Sequence, residues 1–76
     1  MQNSLDRLPL GITGTVLRVN CKLGIRDRLQ ELGFIPGTKV IVRYRSPDKG
    51  VIAVEFRGAV IAMRSRNLKG VLVEWI

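Results

Sequence analysis

Histidine is absent from this sequence, and cysteine and acidic residues are scarce. The 76 residues include no histidine, one cysteine (Cys21) and six acidic residues that are dispersed along the chain. The chain therefore lacks the commonest acid/base group at neutral pH and the commonest metal ligand. One thiol also excludes an internal disulfide and any metal site built from several cysteines. We expect no catalytic residues, no metal-binding residues and no enzymatic activity.

Long apolar runs are missing as well. No segment approaches the roughly 20 apolar residues of a membrane-spanning helix, and the N-terminus lacks the basic-then-apolar pattern of a signal peptide. A single thiol suits a reducing compartment. The sequence therefore predicts a cytoplasmic protein without a membrane span. Its length predicts one domain, residues 1–76, with a small core.

Aromatic residues are few, whereas positive charge is abundant. The chain has 13 Lys and Arg residues against six acidic residues, which gives a formal net charge of +7. Such a balance favours acidic partners, which include nucleic acids, anionic membranes and acidic protein surfaces. Proteins that bind single-stranded nucleic acids usually also present aromatic side chains on which bases stack. Aromatic residues make up only 5% of this chain, so we expect no specific nucleic-acid binding.

A short amphipathic helix is the clearest local pattern. Ile25, Leu29 and Leu32 recur at i, i+4 and i+7, which places them on one apolar stripe of a predicted helix over residues 23–32. Gly33 follows the last of them and suits the left-handed position that ends many helices. A helix this short is marginal in isolation, so we expect it to pack against neighbouring strands.

Alternating apolar residues predict short strands separated by turns, and therefore a mainly β barrel or sandwich. The predicted strands are residues 15–19, 38–45, 51–56, 60–64 and 71–75, with short helical turns at residues 4–8 and 65–69. In the second strand the period of two predicts that Val40, Val42 and Tyr44 face the core. The same alternation predicts that Arg43 and Arg45 face outward.

The chain resembles the FeoA family along essentially its whole length. The segments that carry the resemblance are ELGFIPGT (residues 31–38), RSP (45–47), VEFRG (54–58) and IAMR (61–64). The resemblance implies an SH3-like barrel of about five strands with a short helix inserted after the first strand. It also implies an accessory or regulatory role in bacterial ferrous iron transport. The implied partner is a membrane ferrous iron transporter with a cytoplasmic GTPase domain (FeoB-like). Because ligands are scarce, we expect no tightly bound cofactor and at most weak association with Fe²⁺.

The candidate partner-binding residues are basic side chains expected on one face and apolar side chains expected in the bend after the helix. They are Phe34, Ile35, Lys39, Arg43, Arg45, Arg57 and Arg64. The basic residues form either a docking surface for an acidic partner or an ordinary charged strand face. Phe34 and Ile35 either form an apolar lip of a groove or attach the helix to the barrel. The alternative function is a basic SH3-like barrel of the ribosomal or translation type that binds nucleic acid.

Overall fold

The alternating apolar residues form one antiparallel sheet of six strands. The computed structural model describes residues 1–76, and the strand order in the sheet is β1-β6-β2-β3-β4-β5. The strands are β1 (Gln2–Ser4), β2 (Thr13–Val19), β3 (Lys39–Arg45), β4 (Val51–Phe56), β5 (Ala59–Arg64) and β6 (Val71–Glu74). One α-helix, α1 (Leu23–Leu32), follows β2, and two short 3-10 helices span Leu5–Arg7 and Ser65–Leu68.

Helix α1 has the predicted boundaries, and its apolar stripe packs on the sheet. Leu29 is buried, with 3% of its surface exposed, and Ile25 and Leu32 pack against the core beside it. Gly33 ends the helix with φ at 109°, and its N–H donates to the carbonyl of Leu29 at 3.1 Å. A residue with a Cβ is disfavoured in this left-handed conformation. The sequence prediction for the helix and its end is confirmed.

The core is a single cluster formed by one face of the sheet, α1 and the two 3-10 helices. Its 13 buried apolar residues include Phe34, whose ring lies 4.2 Å from that of Phe56, centroid to centroid. Phe34 is fully buried and therefore attaches the bend after α1 to the barrel. This confirms the second of the two predicted roles for Phe34, and its side chain cannot line an open surface.

One tight turn precedes β3 and another joins β4 to β5. Thr38 donates its N–H to the carbonyl of Ile35 at 3.1 Å, and Gly37 between them has φ at 95°, as in a type II turn. Arg57 and Gly58 both have positive φ, 52° and 78°, and join β4 to β5 as a type I′ hairpin. The first turn leads from the end of α1 into β3, and the second places β4 and β5 side by side.

The expected alternation in β3 is wrong after Val42. A β-bulge lies between Val42 and Tyr44, so Tyr44 pairs with Ala53 on the outer face and Arg45 pairs with Ile52 on the inner face. Tyr44 is 53% exposed rather than buried, and Arg45 is partly buried rather than facing solvent. One extra residue in a strand moves every later side chain to the opposite face. The period of two cannot reveal such an insertion.

The first strand and the total number of strands also differ from the sequence prediction. Strand β1 consists of three polar residues that pair with β6, and such a segment carries no alternation by which to recognise it. The strand predicted to start at residue 15 begins at Thr13. The last strand, β6, lies between β1 and β2 and pairs with both. No helix has the length and apolar character needed to cross a membrane.

Candidate functional site

The seven predicted contact residues do not form one surface. Ile35, Lys39 and Arg57 meet around a shallow depression beside the type II turn, here called the turn depression. Arg45 lies in a different depression, Arg64 in a third, and Arg43 in none of them. The bulge in β3 accounts for the separate position of Arg45, because it turns this side chain toward the inner face of the sheet.

Arg45 holds the start of the chain against the end of β3. Its guanidinium donates to the main-chain carbonyl of Asp6 at 3.0 Å and also to that of Leu8. Three further cations, Arg7, Lys49 and Lys69, line the same depression, which we call the cationic cleft. Because two carbonyls already occupy this guanidinium, Arg45 acts first as a structural residue.

Arg43 lies on the outer face of the sheet and forms an ion pair with Glu55. Its Nε lies 2.8 Å from Oε1 of Glu55, and both side chains are accessible to solvent. The hydrogen bond from Arg43 lowers the pKa of Glu55 below its ordinary value. An exposed pair of this kind is screened by water and salt. The pairing of Arg43 with Glu55 is therefore weak, and Arg43 remains accessible on the outer face.

The turn depression is organised by hydrogen bonds within the chain. Thr38 donates its hydroxyl to the carbonyl of Gly33 at 2.8 Å, which ties the end of α1 to the start of β3. Lys39 donates its ammonium to the hydroxyl of Thr15 at 2.7 Å. Ile35 stays exposed at the rim, as one of the two sequence interpretations expects. This depression is open to solvent, and Ile35 is its one large apolar side chain.

A smaller depression, lined mostly by apolar residues, lies between α1 and the edge strand β5. We call it the helix–strand groove. Its volume is about 230 Å³, and α1 lines one wall while β5 lines the other. The apolar lining residues are Ile25, Leu29, Leu32, Ile61, Ala62 and Met63, and the polar ones are Arg28, Arg64 and Asn67.

Arg64 is a predicted contact residue, but the groove in which it lies was not predictable from the sequence. The apolar stripe of α1 and the alternation of Ile61 and Met63 are both visible in the sequence. Which strand faces the open side of α1, however, depends on the order of strands in the sheet. The groove therefore becomes visible only when the topology is known.

Metal-ligating side chains are not grouped anywhere in the structure. No three Cys, Asp or Glu residues lie close enough together to hold a metal ion. The thiol of Cys21 donates to the carbonyl of Asn67 at 3.7 Å. Burial raises the pKa of this thiol, so it is largely protonated at neutral pH and is a poor metal ligand.

The family comparison agrees with this architecture. The family model for the FeoA domain matches residues 3–74 of the chain. The chain belongs to the FeoA family. No curated protein sequence matches it.

Several solved FeoA structures resemble this chain throughout its length. FeoA from Stenotrophomonas maltophilia, solved with zinc, is 31% identical, with 93% of this chain and 88% of that chain covered and a TM-score of 0.83. It is described as a prokaryotic SH3 domain protein and a possible activating factor of bacterial ferrous iron transport. FeoA from Chlorobium tepidum is 29% identical, with 96% and 70% covered and a TM-score of 0.88.

The same fold also occurs in a larger protein. A manganese-dependent transcriptional repressor aligns with a TM-score of 0.89 at 22% identity, with 99% of this chain but only 37% of the repressor covered. At this identity the likeness shows the fold alone. Together the neighbours confirm the predicted mainly β, SH3-like class, which in this chain has six strands and one short α-helix.

Proposed function

We propose that this FeoA protein is a cytoplasmic accessory factor of bacterial ferrous iron transport that binds the GTPase domain of a FeoB-like transporter. The observation that carries the proposal is the helix–strand groove, an exposed apolar slot in a member of the FeoA family. Open apolar surfaces on small proteins commonly mark contacts with other proteins.

The polar groups of the groove suit binding rather than catalysis. Arg28, Arg64 and Asn67 include no nucleophile and no general base at neutral pH. Two arginines beside an apolar slot attract an acidic partner and orient it. Complementary charges mainly raise the rate of association and the specificity of a complex. In this proposal iron is the cargo of the transporter, and the FeoA protein changes the transporter by contact.

Nucleic-acid binding is the second candidate, and one observation favours it. Tyr44 is exposed on the outer face of β3, next in sequence to Arg43. A stacking surface for single-stranded nucleic acid uses several aromatic side chains. Phe34 and Phe56, however, are buried in the core. One exposed tyrosine supports loose attachment through the net charge of +7, and not sequence-specific recognition.

The proposal is tested by reversing the charge at the groove. Arg28→Glu combined with Arg64→Glu should weaken binding to the isolated GTPase domain of the FeoB-like transporter by about tenfold or more, because like charges then face each other. Isothermal titration calorimetry measures the affinity. The control is Arg7→Glu with Arg18→Glu, which changes the net charge equally at residues outside the groove.

The control variant should retain binding within about threefold of the wild type, which corresponds to less than 1 kcal/mol. Equal losses in both variants would show that net charge alone drives association. No measurable binding of the wild-type chain would refute the proposed function.

A further inference from the structure

The outer edge of β5 is open to solvent and unusually apolar. β5 is the last strand of the sheet and pairs only with β4. Natural proteins usually protect edges by lysine, proline, a bulge or a very short strand. The opposite edge, β1, has only three residues. β5 has six residues, Ala-Val-Ile-Ala-Met-Arg, with regular pairing throughout and a charge only at its end.

The hairpin register shows which backbone groups of β5 are free. The two residues that flank a two-residue turn form a hydrogen-bonded pair, and hydrogen-bonded pairs then recur at every second position. Phe56 and Ala59 flank the turn, so Ile61 and Met63 also bond to β4. The N–H and C=O groups of Val60 and Ala62 therefore point away from β4, and no turn or loop of the chain bonds to them.

The free edge and the helix–strand groove belong to one site. Ile61 and Met63 direct their side chains into the groove, and Ala62 borders it at the strand edge. Val60, which is 57% exposed, lies on the outer face. A strand added next to β5 would lie about 4.8 Å away and alternate its side chains in the same way. Every second side chain of that strand would enter the groove opposite α1.

We propose that the β5 edge accepts an extended segment of a partner protein as a seventh strand, with apolar side chains in the groove and acidic side chains between them. Main-chain hydrogen bonds supply affinity in such complexes, and pockets for alternate side chains supply specificity. The inference specifies how the proposed protein contact is made, and its biological role rests on that proposed function.

The positive charge of the groove favours an acidic segment, rather than a second copy of this chain, as the added strand. Arg28 and Arg64 line the groove and no acidic residue does. A second copy would bring another net charge of +7 to the same place, and like charges oppose association. A segment whose outward side chains are acidic instead places its carboxylates near Arg64 at the end of β5.

The first test removes one free N–H from the edge. Ala62→Pro deletes the outward N–H and leaves the groups that bond to β4 in place, and proline is tolerated on edge strands. The control, Ala62→Thr, keeps the N–H and favours a strand. The probe is a fluorescein-labelled eight-residue peptide in which Val alternates with Glu, read by fluorescence anisotropy at physiological salt.

We expect the peptide to bind the wild type and Ala62→Thr with similar affinity. Its binding to Ala62→Pro should be at least about tenfold weaker, because one main-chain hydrogen bond is lost and the proline ring crowds the edge. A Val-Lys peptide of equal length should bind weakly to all three. Equal binding of the Val-Glu peptide to Ala62→Pro and Ala62→Thr would overturn the inference. So would self-association of the wild type by sedimentation without peptide binding.

A second measurement does not depend on the folding of the proline variant. Two further peptides carry N-methyl groups on all Val residues or on all Glu residues, because the N–H groups of successive residues point to opposite sides of a strand. Added-strand binding predicts that only one of the two loses affinity for the wild-type chain. Equal affinities, or equal losses, would overturn it.

The outcomes also separate this inference from the proposed function. If the transporter domain binds and responds to the groove charges, but Ala62→Pro has no effect on that binding or on peptide binding, the function stands and the added strand is wrong. If the peptides behave as expected but the transporter domain does not bind, the edge site stands and its proposed partner is wrong.

Discussion

Arg45 shows how one inserted residue changes the role of a side chain. Simple alternation places it on the outer face, but the bulge at Arg43 turns it toward the inner face of the sheet. There it donates to two main-chain carbonyls that would otherwise lack these partners in a partly buried setting. Hydrogen bonds that involve a charged group are stronger than neutral ones. Arg45 therefore stabilises the fold, while Arg43 remains on the surface.

This assignment predicts unequal effects of two neighbouring arginine substitutions. Arg45→Ala should lower the free energy of unfolding by about 1.5–3 kcal/mol, because it removes charged hydrogen bonds to the carbonyls of Asp6 and Leu8. Arg43→Ala should have a clearly smaller effect, since it removes only an exposed ion pair. Urea unfolding followed by circular dichroism measures both. Equal changes, or a larger effect at Arg43, would show that Arg45 has no structural role.

The elements differ in how well the sequence alone predicted them. Helix α1 was predictable because its apolar spacing and the glycine at its end agree. The β4–β5 hairpin was predictable because two apolar segments flank a glycine. Strand β1 was not, because its three residues are polar and gain their structure only by pairing with β6. The bulge in β3 was not predictable, because no residue type in this segment marks its position.

Leu29 is the central contact between α1 and the sheet. Leu29→Ala should lower the free energy of unfolding by about 2–5 kcal/mol, since it leaves a cavity in a small core. Leu23 provides a matched control on the same helix, because its side chain is 65% exposed. Leu23→Ala should change stability by less than about 0.5 kcal/mol. If chemical denaturation gave similar midpoints for both variants, the assigned face of α1 would be wrong.

In the molecule as a whole, only part of the positive charge lies at the proposed binding site, the helix–strand groove. The chain has 13 basic residues and a single salt bridge. Five of the predicted contact residues divide among the turn depression, the cationic cleft and the groove, whereas Arg43 lies in none of them and Phe34 is buried. Diffuse positive charge attracts many acidic partners weakly. Selection among them therefore depends on the apolar groove and the open edge of β5.

The sequence supplied the family and the net charge, but it could not supply the site. Arg64 was the one predicted residue that lies in the helix–strand groove. Its neighbours Ile61 and Met63 alternate as in any strand, and only their place at the sheet edge makes them available to a partner. Edge position is a property of the whole topology, so local patterns do not reveal it.

The most direct test of the central claim is to map the surface that contacts the GTPase domain of the FeoB-like transporter. Amide resonances of the ¹⁵N-labelled chain would be followed by NMR as the unlabelled domain is added. We expect the largest changes on β5 and on the groove-facing side of α1, around Arg28 and Leu32. Changes confined to the turn depression or the cationic cleft, with β5 unaffected, would contradict it.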